Sequence, residues 1–332
     1  MRRFAETEEL SALARDALGT GSRVVGVDRL RGGSKKGVYR VHVDGSAEAT
    51  SVIVYRWAEA ENFWPEGAGQ DADSPFAPAS GLVPFLAAQR RLDGLGVRVP
   101  RVVLADDSRT RYEADVAVVE DAGRGTLEEL LTSDPVKGTA ALGELAEMLH
   151  VMHRQRGPRY GRLDVLERGG PVSGTSCEQV VLGRALADLD EAAVRDDRMA
   201  SAAGALRDRL RELAGRVAPR TEYGVIHGEL GPDHVLIDAD GHPVLIDIEG
   251  VMSFDVEWEH VFLRIRFRER YDALDRPGLD PDRLALYMLA MRLSLVAGPL
   301  RLLDGDFPDR AFMQEIAEYN LKQALALVTC RP

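Results

Sequence analysis

The first third of the chain alternates apolar and polar residues in short runs, a pattern typical of half-buried β-strands. The alternation extends from Ser22 to Trp57 through the segments VVGVDRL, VYRVHVD and ATSVIVYRW. Residues 58–84 have no sustained period and predict a long loop, which is followed by a predicted helix from Leu82 to Gly94. Two further strands are predicted in VRVPRVVLA and DVAVVED. Together these elements predict an antiparallel sheet with one accompanying helix.

From Thr126 onward, apolar residues recur at helical spacing. Two short strands, YGVIH and HVLID, interrupt the helices, and the second meets HPVLIDI across Asp240-Gly241, a pair typical of a hairpin turn. The pattern predicts an α+β fold with a strand-rich domain of residues 1–121 and a helix-rich domain of residues 122–332.

Composition narrows the classes of partner. The 332 residues are 45% hydrophobic, which is enough for a substantial core. With 54 acidic and 42 basic side chains the net charge is -12, so we expect neither nucleic acid nor an anionic membrane as partner. A cationic small molecule fits this charge better. The two cysteines, Cys177 and Cys330, are too few for a disulfide framework and favour a cytoplasmic location. No segment predicts a membrane span or a signal peptide.

A glycine-rich loop joins two of the predicted strands. Its sequence, RGGSKKG at residues 31–37, combines glycines that permit close backbone approach with two lysines. Such a loop can cover a polyphosphate, although an ordinary hairpin turn has a similar composition. The candidate phosphate-binding residues are Gly32, Gly33, Ser34, Lys35 and Gly37.

Two further motifs place titratable groups around a predicted hairpin. In VIHGELGPDHVLID, a strand ends at His227, Glu229 follows on a loop, and His234 opens the next strand. In VLIDIEG, the partner strand ends at Asp247. Metal-competent side chains at the ends of adjacent strands can share one ion, while a carboxylate on the preceding loop can reach a substrate hydroxyl. Each residue alone could be a turn or core residue, but the ordered set indicates a catalytic site.

The ordered motifs resemble those of the aminoglycoside phosphotransferase and choline kinase family, small-molecule kinases with a protein-kinase-like fold. That family has His-Gly-Asp-Leu-His-Pro-Gly-Asn as its catalytic loop and Ile-Asp-Trp-Glu as its metal strand. The corresponding text is HGELGPDH at 227–234 and IDIE at 246–249. LRGGSKKGVYRV, VAVVED and LAEMLHVMH resemble its nucleotide loop, hinge and central helix. The resemblance covers nearly the whole chain and implies a bilobal kinase dependent on ATP and Mg²⁺, with an N-terminal sheet lobe and a C-terminal helical lobe.

The resemblance also implies a role for each matching residue. Glu229 takes the position of the catalytic aspartate, and His227 that of a histidine that braces the loop. His234 and Asp247 take the two metal-binding positions. Arg56 stands where the family has a phosphate-contacting cation on its third strand. The hinge match implies nucleotide contacts from Glu120, Asp121 and Ala122.

Three departures from the family pattern have chemical consequences. Glu229 has one methylene more than aspartate, which moves its carboxylate by roughly 1 Å, and a misplacement of that size can cost about a hundredfold in rate. His234 offers an imidazole nitrogen, a poorer ligand for Mg²⁺ than for Mn²⁺ or Zn²⁺. The predicted helix from Leu82 to Gly94 has Asp93 at its end but no evident acidic partner for Arg56.

The substrate side is indicated mainly by charge. Residues 222–282 contain 15 acidic residues against 5 arginines, which would attract a polycation. Asp233, Glu257 and Glu259 are the candidate contacts for a substrate amine. We therefore expect phosphorylation of a hydroxyl on a cationic antibiotic, an aminoglycoside or a tuberactinomycin-type cyclic peptide. The alternatives are a metabolic kinase for choline, a sugar or homoserine, and a nucleotide-binding pseudokinase. The sequence predicts no oligomeric state.

Overall fold

A computed structural model describes the chain as two compact units. The described residues are 2–30, 34–46, 49–65, 73–78, 80–123, 125–171 and 173–329. The first unit comprises Met1–Phe63, Pro78–Met148 and Pro232–Gly250, and the second comprises Trp64–Ala77, Leu149–Gly231 and Val251–Pro332. The predicted boundary near Ala122 lies inside the first unit. Because the units are defined by packing and not by what they bind, the division into lobes of residues 1–121 and 122–332 stays a prediction.

The first unit is built on a five-stranded antiparallel sheet in the order β1-β2-β3-β5-β4. Its strands are β1 (Arg23–Arg29), β2 (Gly37–Asp44), β3 (Ser51–Trp57), β4 (Val102–Asp106) and β5 (Asp115–Glu120). Residues 22–57 form the predicted antiparallel strands, because β1 pairs with β2 and β2 with β3.

Two helices cover the two faces of this sheet. Helix α1 (Thr7–Leu18) buries Leu10 and Leu13 in a cluster with Val41 and Val54. Helix α2 (Leu82–Asp93), the predicted helix, places Phe85 against Tyr55 on the opposite face, with ring centroids 5.4 Å apart. Since successive side chains of a strand point to opposite faces, β3 is buried along its whole length.

A small hairpin completes the first unit. Strands β9 (Val235–Ile237) and β10 (Pro243–Leu245) are antiparallel, and β6 (Gly125–Thr126) pairs with β9. The turn has Gly241 at φ +94°, a conformation that favours glycine. The Asp238 carboxylate caps the same turn by accepting the backbone N–H groups of Asp240 and His242. Helices α3 (Leu127–Ser133) and the start of α4 (Pro135–Arg154) follow β6.

The second unit is mostly helical and surrounds a three-stranded sheet in the order β7-β11-β8. The strands are β7 (Gly161–Arg162), β8 (Gly224–Ile226) and β11 (Met252–Phe254). The helices are α5 (Leu163–Glu167), α6 (Cys177–Arg195), α7 (Asp197–Ala214), α8 (Val256–Phe267), α9 (Pro281–Leu303) and α10 (Arg310–Thr329). Trp258 of α8 is 3% exposed and belongs to the core of the second unit. The helical second unit and the antiparallel sheet of the first agree with the predicted α+β fold.

Among the described helices, only α9 has the length and apolar composition that a membrane-spanning helix needs. About three fifths of its most apolar window is buried, since Leu286, Leu289 and Leu293 lie in the core of the second unit. The prediction that no segment spans a membrane stays a prediction.

A pair of buried histidines gives the second unit a pH-dependent stability. His153 of α4 and His260 of α8 have ring centroids 5.3 Å apart. Burial, with the charge of Arg276, lowers the pKa of His260 to about 4, and burial also holds the pKa of His153 well below 6.5. As the pH falls from about 6.5 to 4, these histidines bind protons in the unfolded chain but stay neutral in the folded chain. Acid therefore favours unfolding.

Replacing His260 by Phe should flatten this dependence. At about 1.4 kcal/mol per pKa unit, the wild type should lose roughly 3 kcal/mol more than His260→Phe between pH 6.5 and 4. Tyr271 loses its bond to the imidazole but keeps Asp275 as acceptor. Urea unfolding at pH values across this window measures the difference, and parallel curves for the two proteins would contradict the assignment.

Candidate active site

The hairpin of the first unit brings two predicted metal ligands to one end. His234 immediately precedes β9, Asp247 follows β10, and the Ile246 N–H donates to the His234 carbonyl at 3.0 Å. Asp247 has a left-handed backbone with φ +58°, and its side chain is 46% exposed. Sparsely populated backbone conformations of this kind cluster at ligand sites. The metal-binding roles of both residues stay predictions.

Lys36 lies between two carboxylates at this end of the hairpin. Its ammonium donates to Asp247 Oδ1 at 2.7 Å and to Glu249 Oε1 at 2.5 Å. Burial alone would lower the pKa of Lys36, but the charges of Asp247 and Glu249 outweigh burial and raise it. Conversely, the charge of Lys36, supported by that of His234, holds the pKa of Asp247 far below its usual range. Two carboxylate oxygens, one from Asp247 and one from Glu249, therefore converge on the ammonium nitrogen of Lys36.

The donor chemistry at this point suits a magnesium ion. Mg²⁺ is commonly held by one or two protein carboxylates, with phosphates and water supplying its other ligands. Asp247 and Glu249 offer two such carboxylates. Among the described residues, no cluster of three or more His, Cys, Asp or Glu side chains could hold a metal by itself.

Arg56 lies on the third strand, where two carboxylates bind it. The residue is 5% exposed, and its guanidinium donates to Glu9 Oε1 of α1 at 2.9 Å and to Glu61 Oε2 at 3.0 Å. The acidic partner missing from α2 is therefore Glu61, in a 3₁₀ turn only five residues further on, together with Glu9. Arg56 lies on the α1 face of the sheet, and its charge is already balanced there.

Gly37 belongs to the same buried cluster. It pairs with Arg56 across β2 and β3, and a Cβ atom at Gly37 would lie 2.2 Å from Glu61 Oε1. Tyr39 also donates its hydroxyl to Glu61. Close packing against the Glu61 carboxylate is thus sufficient reason for glycine at position 37, independently of any phosphate.

The rest of the glycine-rich loop is described only in part. Gly32 and Gly33 lie outside the described residues. The Ser34 carbonyl accepts the Phe63 N–H at 2.8 Å, and the Lys35 carbonyl accepts the Ser80 hydroxyl at 3.3 Å. Both contacts tie the loop to the first unit, and the phosphate-binding roles of these residues stay predictions.

The side chains of the predicted hinge are engaged by other residues. Asp121 accepts two bonds from Arg40, at 2.7 and 3.0 Å, and one from the Ser51 hydroxyl at 2.7 Å. Glu120 pairs with Arg98 at 2.5 Å. The carboxylates of Glu120 and Asp121 therefore fix the hinge. The nucleotide contacts expected of residues 120–122 stay predictions.

In the second unit, the catalytic loop motif follows β8. His227 is buried, and its N–H and that of Gly228 both donate to the carboxylate of Glu259 in α8. Glu229 is exposed on the loop that follows. Glu259 is fully buried, and burial raises its pKa to about 7. Glu259 therefore fixes the start of the loop that carries Glu229.

Glu259 and Glu257, the predicted substrate contacts, are both buried, and their substrate role stays a prediction. Glu259 has no exposed surface, and its oxygens accept from the loop backbone. Glu257 is 1% exposed, makes two bonds to Arg220 at 2.7 and 2.9 Å, and accepts the Asp280 N–H. A substrate amine would have to displace these partners. Asp233, in the first unit, is about one third exposed and stays a candidate.

A cavity of about 430 Å³ in the second unit is lined mainly by polar residues around Glu257. Three of them are arginines, Arg156, Arg220 and Arg276. Burial and the charge of Arg156 lower the pKa of Arg276, which indicates crowded positive charge. An amine substrate is therefore not expected in this cavity.

Sequence reasoning missed three charged residues of the first unit: Lys36 as the partner of Asp247, Glu249 as the second carboxylate, and Glu61 as the partner of Arg56. Lys36 and Glu249 both lie inside motifs that had been identified. The period-two alternation of β2, extended to the residue just before the strand, was a usable signal, because it puts Lys36 and Gly37 on opposite faces.

Comparison with known proteins identifies the family. The sequence matches the phosphotransferase enzyme family, APH, over residues 29–287. No curated protein sequence matches the chain significantly.

Solved structures with a similar fold include three small-molecule kinases. Aminoglycoside phosphotransferase APH(4)-Ia has a TM-score of 0.63 at 17% identity, covering 96% of this chain and 99% of its own. Spectinomycin phosphotransferase APH(9)-Ia, in complex with ADP and spectinomycin, has 0.64 at 12% identity, covering 98% and 99%. Choline kinase LicA from Streptococcus pneumoniae has 0.60 at 14% identity, covering 97% and 98%.

At these identities the structural likeness establishes the fold, and it confirms the kinase-like α+β architecture expected from the motifs. The sequence match covers well over half of the chain and confirms the resemblance in family. The chain therefore belongs to the phosphotransferase enzyme family, whose members transfer a phosphate group to a hydroxyl acceptor.

Proposed function

We propose that this phosphotransferase uses ATP with Mg²⁺ to phosphorylate a hydroxyl of a cationic small molecule, an antibiotic of the aminoglycoside or tuberactinomycin type. The observation that carries the proposal is the convergence of the Asp247 and Glu249 carboxylates on one cationic atom at a hairpin end. Phosphoryl transfer depends mainly on positioning and charge neutralisation, and paired carboxylates that hold a metal serve both.

Each candidate residue has a proposed task. Asp247 and Glu249 would hold Mg²⁺, which when bound neutralises phosphate charge. Glu229 would orient the acceptor hydroxyl or take its proton, since its carboxylate is exposed on the loop. His227 would brace that loop through the backbone contact with Glu259.

The chemistry of relatives and the charge of the chain support the choice of acceptor. A thermostable mutant of APH(4)-Ia has been solved with ADP and hygromycin B, and APH(9)-Ia with ADP and spectinomycin. A net charge of -12 favours a cationic ligand over an anionic one. Because the donor would be ATP, we propose a cytoplasmic enzyme.

A choline-type kinase is the second candidate. It is supported by the similarity to the choline kinase LicA, whose fold matches about as well as those of the antibiotic kinases. Choline is also cationic, so net charge does not separate the two acceptors.

A panel of acceptors separates these candidates. The purified chain is incubated with ATP and Mg²⁺ and, separately, with hygromycin B, spectinomycin, kanamycin, a tuberactinomycin and choline. ADP release and mass spectrometry for an added phosphate are the readouts. Phosphate on an antibiotic supports the first proposal, and phosphate on choline alone supports the second. Binding of ATP without transfer to any acceptor would contradict both.

Asp247→Asn should leave the fold intact but weaken nucleotide binding in the presence of Mg²⁺ by tenfold or more. The change removes a negative charge from a partly exposed carboxylate that contributes little packing. Calorimetric titration with ATP, with and without Mg²⁺, measures the effect. Asp240→Asn at the tip of the same hairpin is the matched control and should bind as the wild type does. Unchanged Mg²⁺-dependent affinity in Asp247→Asn would remove Asp247 from the metal site.

A further inference from the structure

We propose that Lys36, from the glycine-rich loop, is the cation that contacts the nucleotide phosphates, and that Arg56 on β3 serves to fix α1 to the sheet. This inference rests on the proposed ATP-dependent function and moves the phosphate-binding cation from the third strand to the loop before β2.

Strand alternation separates the two cations. Arg56 pairs with Gly37, and both lie on the face of the sheet that α1 covers. Tyr55, the preceding residue of β3, lies on the opposite face. The Lys36 ammonium is 5.2 Å from the centroid of the Tyr55 ring, so Lys36 shares the face of Tyr55.

The face that carries Tyr55 also carries the hinge contacts. Arg40, on β2, and Ser51, on β3, both lie at alternate positions from Lys36 and Tyr55, and both bind Asp121. At one end of this face, side chains of the sheet contact Asp121 of the predicted hinge. At the other end, Lys36 contacts the Asp247 carboxylate. A nucleotide lying along this face would meet Lys36.

The positive charge of Arg56 is already balanced by carboxylates. Two carboxylates bind its guanidinium, and one of them, Glu61, has no exposed surface. A phosphate could reach Arg56 only by displacing a buried ion pair, which is strongly unfavourable where no metal is proposed to bind the carboxylates in exchange.

Lys36 can change partners. An ammonium has three N–H donors, and in this structure Lys36 uses them on the two carboxylates that suit a metal. Asp247 and Glu249 would hold Mg²⁺ when a nucleotide is bound, and Lys36 could then donate to the anionic oxygens of the phosphates. The Lys36 contacts to Asp247 and Glu249 thus keep the cation next to the place where the phosphates will lie.

The test compares affinities for ATP and for adenosine, which lacks phosphates. Lys36→Ala should weaken ATP binding by about tenfold to a hundredfold, as expected for one charge-assisted contact, and leave adenosine binding unchanged. Lys36→Arg keeps the charge and should retain most of the ATP affinity. If Lys36→Ala does not fold, Lys36→Arg still provides a measurement of this position. Lys137→Ala, at an exposed lysine of the same unit, is the control and should match the wild type.

The Arg56 variants provide the contrast. Arg56→Gln should lower the unfolding temperature but leave the ratio of ATP to adenosine affinity at the wild-type value. If Arg56→Gln does not fold, Arg56→Lys is measured in the same way, since lysine keeps the charge but cannot bridge both carboxylates with a planar fork. A reduced ratio in the Arg56 variants, with a normal ratio in Lys36→Ala, would overturn the proposal.

The wild-type titration separates the two levels of inference. If the wild type binds no ATP in the presence of Mg²⁺, the proposed function itself is wrong. If it binds ATP and Lys36→Ala binds it equally well, only the assignment of Lys36 is wrong.

Discussion

Replacing Arg283 by Met is expected to lower the free energy of unfolding by roughly 3–5 kcal/mol, the usual cost of removing one partner of a buried ion pair. The Arg283 side chain is 1% exposed and contacts the Asp255 carboxylate, the Glu178 carboxylate at 3.3 Å and the Ala218 carbonyl. Asp255 is completely buried. Without Arg283 it would keep a charge that Arg220, at 3.4 Å, and the Tyr287 hydroxyl only partly balance.

Two comparisons isolate the buried charge as the cause. Adding Asp255→Asn to Arg283→Met should recover part of the loss, because the stranded charge is then removed. Arg198 likewise binds two carboxylates, those of Asp196 and Glu318, but its side chain is half exposed. Arg198→Met should therefore destabilise the chain much less. Urea denaturation measures all four proteins, and equal losses for the two single arginine variants would contradict burial as the reason.

The hairpin end at Asp247 could be predicted because its determinants are local. Asp240-Gly241 defines the turn, and the short apolar runs on either side define which residues pair. His234 and Asp247 then have to lie at the same end of the two strands. The wider fold followed in the same way from periodicity, since the strands of residues 22–57 and helix α2 each carry a clear local pattern.

The direction of Arg56 could not be predicted, because all seven residues of β3 are buried. In a strand with one solvent-exposed face, alternating polar and apolar residues indicate which side chains point to the core. A strand that is covered on both faces lacks this alternation. The position of Arg56 is decided by α1 and by Glu61, whose contact with it depends on the tertiary structure.

The acidic surplus counted in residues 222–282 overstates the negative charge available to a substrate, for a related reason. Glu249, Asp255 and Glu257 contribute to the acidic surplus of residues 222–282, yet all three are buried against cations. Their partners lie outside that segment; Lys36 is 213 residues from Glu249 along the chain. A count within one segment therefore treats neutralised carboxylates as free negative charge.

Glu229→Gln is expected to lower kcat by about 10²–10⁴-fold, the range for removal of a general base. Glu229→Asp should lower it by roughly a hundredfold, because the shorter side chain withdraws the carboxylate by about 1 Å. The Michaelis constant for ATP should change little in both variants, since the proposed task of Glu229 concerns the acceptor hydroxyl. Single-turnover kinetics with the acceptor found in the panel measures the chemical step directly.

The order of the two variants tests whether the longer side chain at position 229 has been accommodated by its loop. If glutamate is the working base, both its charge and its length matter, so activity should fall from wild type to Glu229→Asp and again to Glu229→Gln. Glu269→Gln, at an exposed glutamate elsewhere in the second unit, is the matched control and should retain wild-type kcat. Higher activity in Glu229→Asp than in the wild type would mean that the loop still has the geometry suited to aspartate. Full activity in Glu229→Gln would remove Glu229 from the proton transfer, leaving positioning and charge neutralisation to carry the reaction.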